Sequence, residues 1–374
     1  MSLVNREGRA DRLVQLVAER ELDQLIVGDL VRPGDSGPDA IVNSCWLTGF
    51  TGTGGIALVG RERSVLVTDY RYAERAAREV GDDFERVVAT SSVYLLTELV
   101  AQLSGTVGYD STTTSVANLR VLEEAIAAAG SKVELVAVDG LIEQLRRVKD
   151  PGEQAAMQEA ARIVDVAFEA VVAEGFVGRT ELEVAQASEL RIRELGAEPL
   201  LPTLLASGPN TSQGHAAPSE RVIGRDELVV LDMGALVEGY HSECTRTLAT
   251  GDPGDEPREL YELMRTAQAA ALAMIGPGVA VADADEAARA VVRDAGYIDS
   301  YGAGLGHGVG LSMHEAPRMW PKGTDVLEEG NVVSVEPGIF MPGRHGARIE
   351  DLVLITADGH RMLNAVPNEL RIVS

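Results

Sequence analysis

Residues 228–247 read Leu228-Val-Val-Leu-Asp232-Met-Gly234-Ala-Leu-Val-Glu-Gly239-Tyr240-His-Ser-Glu243-Cys-Thr-Arg-Thr247. Two runs of strand-forming residues flank a turn, so the stretch predicts a β-hairpin in which alternate side chains share a face. With the turn centred between Val237 and Glu238, Asp232 and Glu243 fall opposite each other. Directly opposed residues hold their Cβ atoms about 4.5–5.5 Å apart, where two like charges destabilise a sheet. Something cationic should sit between them. The arithmetic recurs downstream: Val332-Val-Ser-Val-Glu336 ends at Pro337-Gly338, Ala347-Arg-Ile-Glu350-Asp-Leu-Val-Leu-Ile355 follows, and Gly343 lies midway between Glu336 and Glu350. One such pair is an ordinary surface feature when arginine bridges it. Two pairs in apolar strands, with His307 between them in a glycine-rich segment, point to a metal site. Four carboxylates and an imidazole suit Mn, Co, Fe or Zn, and bridging carboxylates suit two ions about 3.5–4 Å apart. A metal-bound hydroxide formed near neutral pH could attack a carbonyl without a serine or cysteine nucleophile, so a dinuclear hydrolase is expected.

Around this core, the 374 residues are enough for two domains. The first half alternates helices and strands. Helical spacing covers Arg9 to Glu21, Tyr72 to Val80 and Val116 to Ala129; strand patterns cover Leu22 to Val27, Ile56 to Val59, Ser64 to Thr68 and Lys132 to Val138. A Pro/Gly/Asp/Ser cluster from Arg32 to Asp39 reads as a loop. Lys149-Asp150-Pro151-Gly152 marks a boundary, where Pro151 follows a charged helix and a new helix opens at Glu153. A further helix, from Thr180 to Leu195, starts with Thr180 and Glu183 in a capping box. The expected architecture is an α/β domain over 1–148 followed by an α+β domain over 149–374.

Composition excludes several function classes. The chain carries 33 basic against 58 acidic residues, a net charge of -25, and 4% aromatic residues, the reverse of a nucleic-acid or anionic-membrane binder. No uncharged run approaches the ~20 apolar residues of a membrane span, and the N-terminal residues lack a secretory apolar core. Cys45 and Cys244 form no disulfide framework, which fits a reducing cytoplasm. Other motifs fail on context. Gly52-Thr-Gly54-Gly-Ile-Ala57 precedes a strand, whereas a dinucleotide fingerprint must open a helix. His314-Glu315 is followed by Pro317 and Arg318, so no zinc-binding helix with a second histidine follows. There is no Gly-x-Ser-x-Gly elbow.

Leu228 to Thr247, Gly306-His307-Gly-Val-Gly-Leu-Ser-Met-His314-Glu-Ala-Pro317, Ser334-Val-Glu336-Pro-Gly338 and Arg348-Ile-Glu350-Asp351 resemble the ordered motifs of the pita-bread metallopeptidases. The branch most similar is that of the Xaa-Pro peptidases, prolidase and aminopeptidase P. Ser207-Gly208-Pro-Asn210 with His215 adds a fifth match, and Asn43-Ser-Cys-Trp-Leu-Thr-Gly49-Phe resembles the N-terminal domain shared by creatinase and prolidase. The resemblance implies a pita-bread fold for 149–374 and a creatinase/prolidase-type domain for 1–148. It implies metal ligation by Asp232, Glu243, His307, Glu336 and Glu350. His215 and His314 would bind the substrate carbonyl and stabilise the tetrahedral intermediate, and Glu336 would also transfer protons. Arg318 stands where a prolidase arginine engages the substrate's C-terminal carboxylate. Two divalent ions are implied, manganese first, with cobalt, zinc or iron as alternatives. The family has Asp where this chain has Glu243, so a weaker second ion is expected.

The activity so implied is hydrolysis of Xaa-Pro bonds, as a dipeptidase acting on small peptides with proline after the scissile bond. Proline's nitrogen has no hydrogen to offer, which is why such bonds need a specialist. A homodimer follows from the same resemblance. The competing readings are an Xaa-Pro aminopeptidase acting on longer peptides, a metal-independent creatinase-like hydrolase of a small amidine or cyclic compound, and a pseudo-peptidase that only binds. Metal-free relatives have lost several of the carboxylates, whereas all five positions here can still bind metal.

Overall fold

A computed structural model describes residues 3–28 and 38–374, divided into two compact units: Asn5–Arg146, and Arg147–Ser374 joined by Leu3 and Val4. The first unit runs α1 (Arg9–Glu19), β1 (Gln24–Val27), α2 (Pro38–Thr48), β2 (Gly55–Gly60), β3 (Ser64–Asp69), α3 (Ala73–Glu79), β4 (Glu85–Ala89), α4 (Leu95–Val100), β5 (Gly105–Asp110), α5 (Val116–Ala128), β6 (Val133–Val138) and α6 (Leu141–Arg146). Its strands form one sheet in the order β4-β3-β2-β1-β5-β6, antiparallel at β1–β2 and β2–β3 and parallel elsewhere. Ile26, Leu58, Val67 and Val107 pack against Leu99 and Leu122 from α4 and α5. The expected loop from Arg32 lies, up to residue 37, outside the described residues, and Pro38 already opens α2. The glycine-rich turn at Gly52 leads into β2 as expected.

The second unit continues with α7 (Pro151–Glu174), α8 (Glu181–Glu194), β7 (Glu198–Pro199), β8 (Leu204–Ser207), β9 (Leu228–Val237), β10 (Tyr240–Ala249), α9 (Asp255–Met274) and α10 (Val281–Asp294). It ends with β11 (Gly306–Gly308), β12 (Glu315–Met319), β13 (Val332–Val335), β14 (Gly338–Met341), β15 (His345–Arg348), β16 (Asp351–Thr356) and β17 (Gly359–Met362). Capping boxes at Asp150/Glu153 and Thr180/Glu183 start α7 and α8. No described helix is long and apolar enough to cross a membrane.

Strand periodicity separates core from site. On β9 and β10, Leu231, Met233, Cys244 and Leu248 pack under α7 and α8 with Val164, Phe168 and Val184. On β13, β15 and β16, Val333, Val335, Ala347 and Val353 pack under α9 and α10 with Tyr261, Met264 and Val292. Because successive side chains alternate, Asp232, Glu243, Ser334 and Arg348 belong to the opposite faces. Each hairpin thus buries one face under its own helix pair and keeps its polar residues on the other.

One expectation about register and one about strand continuity need correction, while the register expected around Gly343 holds. The first hairpin turns on Glu238 and Gly239, whose φ values of 51° and 84° define a two-residue loop of the kind favoured between twisted strands. Val237 therefore pairs with Tyr240, Asp232 faces Thr245 and Glu243 faces Gly234. The two acids are diagonal neighbours on one face, not directly opposed. In the second hairpin the expected single strand from Ala347 to Ile355 is broken. Val335 pairs with Asp351 and Gly338 with Arg348, but Glu336 and Glu350 fall between the two ladders. The backbone N–H of Glu336 donates to Leu305 O instead, and that of Glu350 to Thr245 O.

Candidate metal centre

That break lets four acids meet. Glu350 bridges to Thr245 on β10, and Thr245 is the cross-strand partner of Asp232. On β11, His307 lies opposite Arg318 of β12, while Gly308 pairs with Val333 of β13. Asp232, Glu243, His307, Glu336 and Glu350 all line one cavity of about 260 Å³, together with His215, His314 and Arg348. Its other wall is apolar, built by Leu200, Leu201, Pro202, Leu204 and Met313. A second cavity, about 370 Å³, adjoins it through the shared residues His215, His307, His314, Glu336 and Arg348. Arg318, Trp320 and Phe340 line only this second space, so Arg318 shares a cavity with Glu336 but not with Asp232, Glu243 or Glu350.

The contacts are specific. His307 Nε2 is 3.0 Å from Glu336 Oε1 and 3.7 Å from Glu243 Oε1. Its Nδ1 lies 3.1 Å from Gly308 O, so a proton on Nδ1 leaves Nε2 to face the acids. Ser334 Oγ donates to Glu336 Oε1 at 3.0 Å and accepts from His307 N at 3.1 Å, tying the two together. Thr245 Oγ1 donates to Glu350 Oε2 at 2.6 Å and accepts from Arg348 Nε at 3.2 Å. Arg348 also pairs with Asp232 and donates to Gly214 O, beside His215. The His307 and His314 rings lie 4.2 Å apart, centre to centre.

Electrostatically the cluster lacks positive charge. Burial raises the Asp232 carboxyl, with Arg348 opposing and Glu336 reinforcing. Burial, then the neighbouring acids, pushes Glu243 and Glu350 well above the carboxylate range. Glu336 goes the other way: burial raises it, but the His307 hydrogen bond and charge, with Arg348 and Ser334, outweigh that and lower it. His314 is lowered to about 4 by burial, then by His307 and Arg318, so its imidazole is neutral at pH 7. Arg348 supplies part of the cation that the sequence demanded.

Among the described residues, no three His, Cys, Asp or Glu side chains stand close enough together to hold an ion. The acids are turned onto protein partners instead: Asp232 onto Arg348, Glu336 onto His307, Glu350 onto Thr245. The donor set nevertheless fits a divalent metal. Five oxygen and imidazole donors face one cavity, and Glu243 Oε1 is buried with no hydrogen-bond partner, a costly state unless a cation completes it.

Sequence reasoning alone assigns no role to Thr245, Ser334 or Arg348. A signal is present, since each stands two residues from an acid, at Glu243, Glu336 and Glu350 respectively, and so shares its face of the strand.

Two helix-backed hairpins that bring four acids and a histidine to one cavity define a hydrolase scaffold suited to divalent metal. Residues 155–357 match the family model of metallopeptidase family M24, and residues 9–148 that of the creatinase/prolidase N-terminal domain. An Xaa-Pro dipeptidase of Pyrococcus furiosus is 32% identical over 367 residues, covering 97% of this chain and 99% of that protein. The solved structure of an Xaa-Pro dipeptidase from Bacillus anthracis matches with a TM-score of 0.90 at 32% identity, covering 99% of this chain and 100% of that one. An X-Pro aminopeptidase from Thermotoga maritima gives a TM-score of 0.87 at 31% identity, covering 97% and 99%. The chain belongs to metallopeptidase family M24, with a creatinase/prolidase N-terminal domain and the pita-bread fold expected from its motifs.

Proposed function

We propose that this protein hydrolyses Xaa-Pro dipeptides, with Asp232, Glu243, His307, Glu336 and Glu350 holding the divalent metal that its family uses. The observation that carries the reading is that Asp232, Glu243, His307, Glu336 and Glu350 line one cavity, while Glu336 and His307, with His215 and His314, also line the adjoining cavity that contains Arg318. A bound ion would supply Lewis acidity and lower the pKa of a coordinated water. The chain's own groups do the rest. His314, neutral at pH 7, can donate to the oxygen of the scissile carbonyl, and His215, on the same two cavities, can do so from its own loop. Glu336, the acid whose pKa is lowered, accepts the water proton and passes it to the prolyl nitrogen. The Leu200-to-Leu204 wall accommodates the side chain that precedes proline.

Arg318 lines the second cavity without a carboxylate partner among the described residues, and its guanidinium can take the free carboxylate of a dipeptide bidentately. This favours a dipeptidase over an aminopeptidase for longer chains. Manganese as the native ion, a homodimer and a cytoplasmic location are part of the same proposal. They rest on the resemblance and, for location, on the two unpaired cysteines.

Chelation should abolish hydrolysis of Xaa-Pro dipeptides, and added Mn or Co should restore it. Full activity in a preparation shown to be metal-free would support the creatinase-like reading instead. Arg318→Ala should raise KM about tenfold for dipeptides and leave C-terminally blocked tripeptides little changed. An equal rise for both would rule out carboxylate capture.

A further inference from the structure

Only three of the 33 basic residues are lysines, at positions 132, 149 and 322, and Lys132 and Lys322 are exposed. Lys149 is not. Its side chain is 1% exposed, with Nζ 2.7 Å from Glu315 Oε1, itself on a side chain 7% exposed. The chain uses arginine for other buried cations, Arg246 and Arg348 among them, so a lysine here reflects shape. An ammonium is a compact point charge, whereas a guanidinium is a planar fork that needs width.

The acid that Lys149 meets follows His314 directly. Glu315 folds its carboxylate back inside the loop that leads to His314: a Cβ added at Gly310 would collide with Glu315 Oε1, and Ser312 N donates to Oε2 at 3.4 Å. The loop is thus wrapped around this carboxylate. Lys149 in turn is fixed by its own backbone. Its N–H donates to Gly330 O at 2.8 Å, Nζ also reaches Arg147 O at 3.4 Å, and the capped start of α7 follows at once. A buried ion pair is a poor source of stability, since an apolar pair of similar volume is often as stable. Its use here calls for a different reason.

We propose that Lys149 is a positioning residue for His314, acting through Glu315 to set the loop that presents the imidazole to the cavity. The proposal rests on the reading that His314 contacts the scissile carbonyl. Because Lys149→Met alone would leave the buried Glu315 carboxylate without its ammonium, the test uses the paired variant K149M/E315L as metal-loaded protein. It should retain its metal and change KM for an Xaa-Pro dipeptide by less than about threefold, while kcat falls about 30- to 100-fold, the scale of an ångström-level misplacement. In an H314A background the same pair should change kcat less than about twofold, because the positioned group is gone. Undiminished kcat in the paired variant, or an equal loss with and without His314, overturns the proposal. Histidine-selective 13C NMR gives a readout independent of turnover. The His314 resonance, assigned by its loss in H314A, should shift or broaden in K149M/E315L while that of His215 stays put. An unchanged His314 resonance also overturns it. If the unmodified protein cleaves no Xaa-Pro substrate yet His314 shifts, the functional reading falls and the positioning stands.

Discussion

In the β9–β10 hairpin the ladder is unbroken from Tyr240↔Val237 to Ala249↔Leu228; in the hairpin closed around Gly343 it stops after Val335↔Asp351 and resumes at Gly338↔Arg348. The first holds Asp232 and Glu243 on a rigid face. The second keeps one register across its gap and hands the N–H groups of Glu336 and Glu350 to Leu305 and Thr245. A continuous sheet can present acids side by side, but it cannot make them converge from two directions. The break does that, and the outcome differs for the acids concerned. Glu336 is hydrogen-bonded by Ser334 and paired with His307, whereas Glu243 Oε1 has no hydrogen-bond partner.

Neutralising one acid from each hairpin would sharpen this contrast most. Glu336→Gln should lower kcat about 10³-fold, because it removes both a metal-facing carboxylate and the proposed proton carrier. Glu243→Gln should cost about 10- to 100-fold and lose metal in proportion, since only ligation is affected. Steady-state kinetics with metal analysis on both variants decide the matter. Equal losses at the two positions would mean that the broken hairpin holds no special group.

A second, smaller effect concerns pH. Asp232, Glu243 and Glu350 are raised in the folded, metal-free protein, by burial first and then by one another or by Glu336. The folded state therefore binds protons more tightly than the unfolded chain, whose carboxyls titrate near 4, so stability is present at low pH and is lost as pH rises through the raised values. Glu336, lowered, works in the opposite sense but is one group against three. A pKa difference of one between folded and unfolded states corresponds to about 1.4 kcal/mol, and each kcal/mol moves the melting temperature of a domain this size by about 2–4 °C. The Tm of metal-free protein should fall between pH 5 and pH 8, and a divalent ion should restore more at pH 8. A flat or rising Tm for the metal-free protein over that range would show that the acids are not crowded as described.

The fold and the site are legible in the sequence to different depths. Apolar alternation is enough to find β9, β10, β13 and β16, and the capping boxes to place α7 and α8, because those signals are local. The acids themselves are found by their even spacing from the turns. Register is not. A shift from a turn centred before Glu238 to a Glu238-Gly239 loop converts direct opposition into a diagonal, and only the backbone's positive φ values distinguish the two. Nor can a local pattern show that the strand breaks before Glu350, since what ends it is the bridge to Thr245, 105 residues away. Lys149 and Glu315 lie outside any local reading for the same reason.

The smallest effect tests the continuous hairpin on its own terms. Glu243 lies opposite Gly234 on an unbroken ladder, so the backbone there has little freedom to retreat. Its side chain extends one C–C bond farther than an aspartate there would, about 1.5 Å, while metal sites tolerate about ±0.2 Å in ligand distance. The added torsion must absorb the difference or one ion is held less well. The structure places Glu243 Oε1 3.7 Å from His307 Nε2, farther than the 3.0 Å of Glu336, and without a hydrogen bond. We therefore expect one tight ion and a second bound less tightly. Glu243→Asp should tighten the second by about tenfold, or about 1.4 kcal/mol, and leave the first unchanged. Isothermal titration of chelator-treated protein with Mn reads both affinities directly, and the EPR signal of coupled Mn ions should appear at lower occupancy in the Asp variant. Two ions of equal, tight affinity, unaltered by Glu243→Asp, would show that the rigid hairpin accommodates the longer acid at no cost.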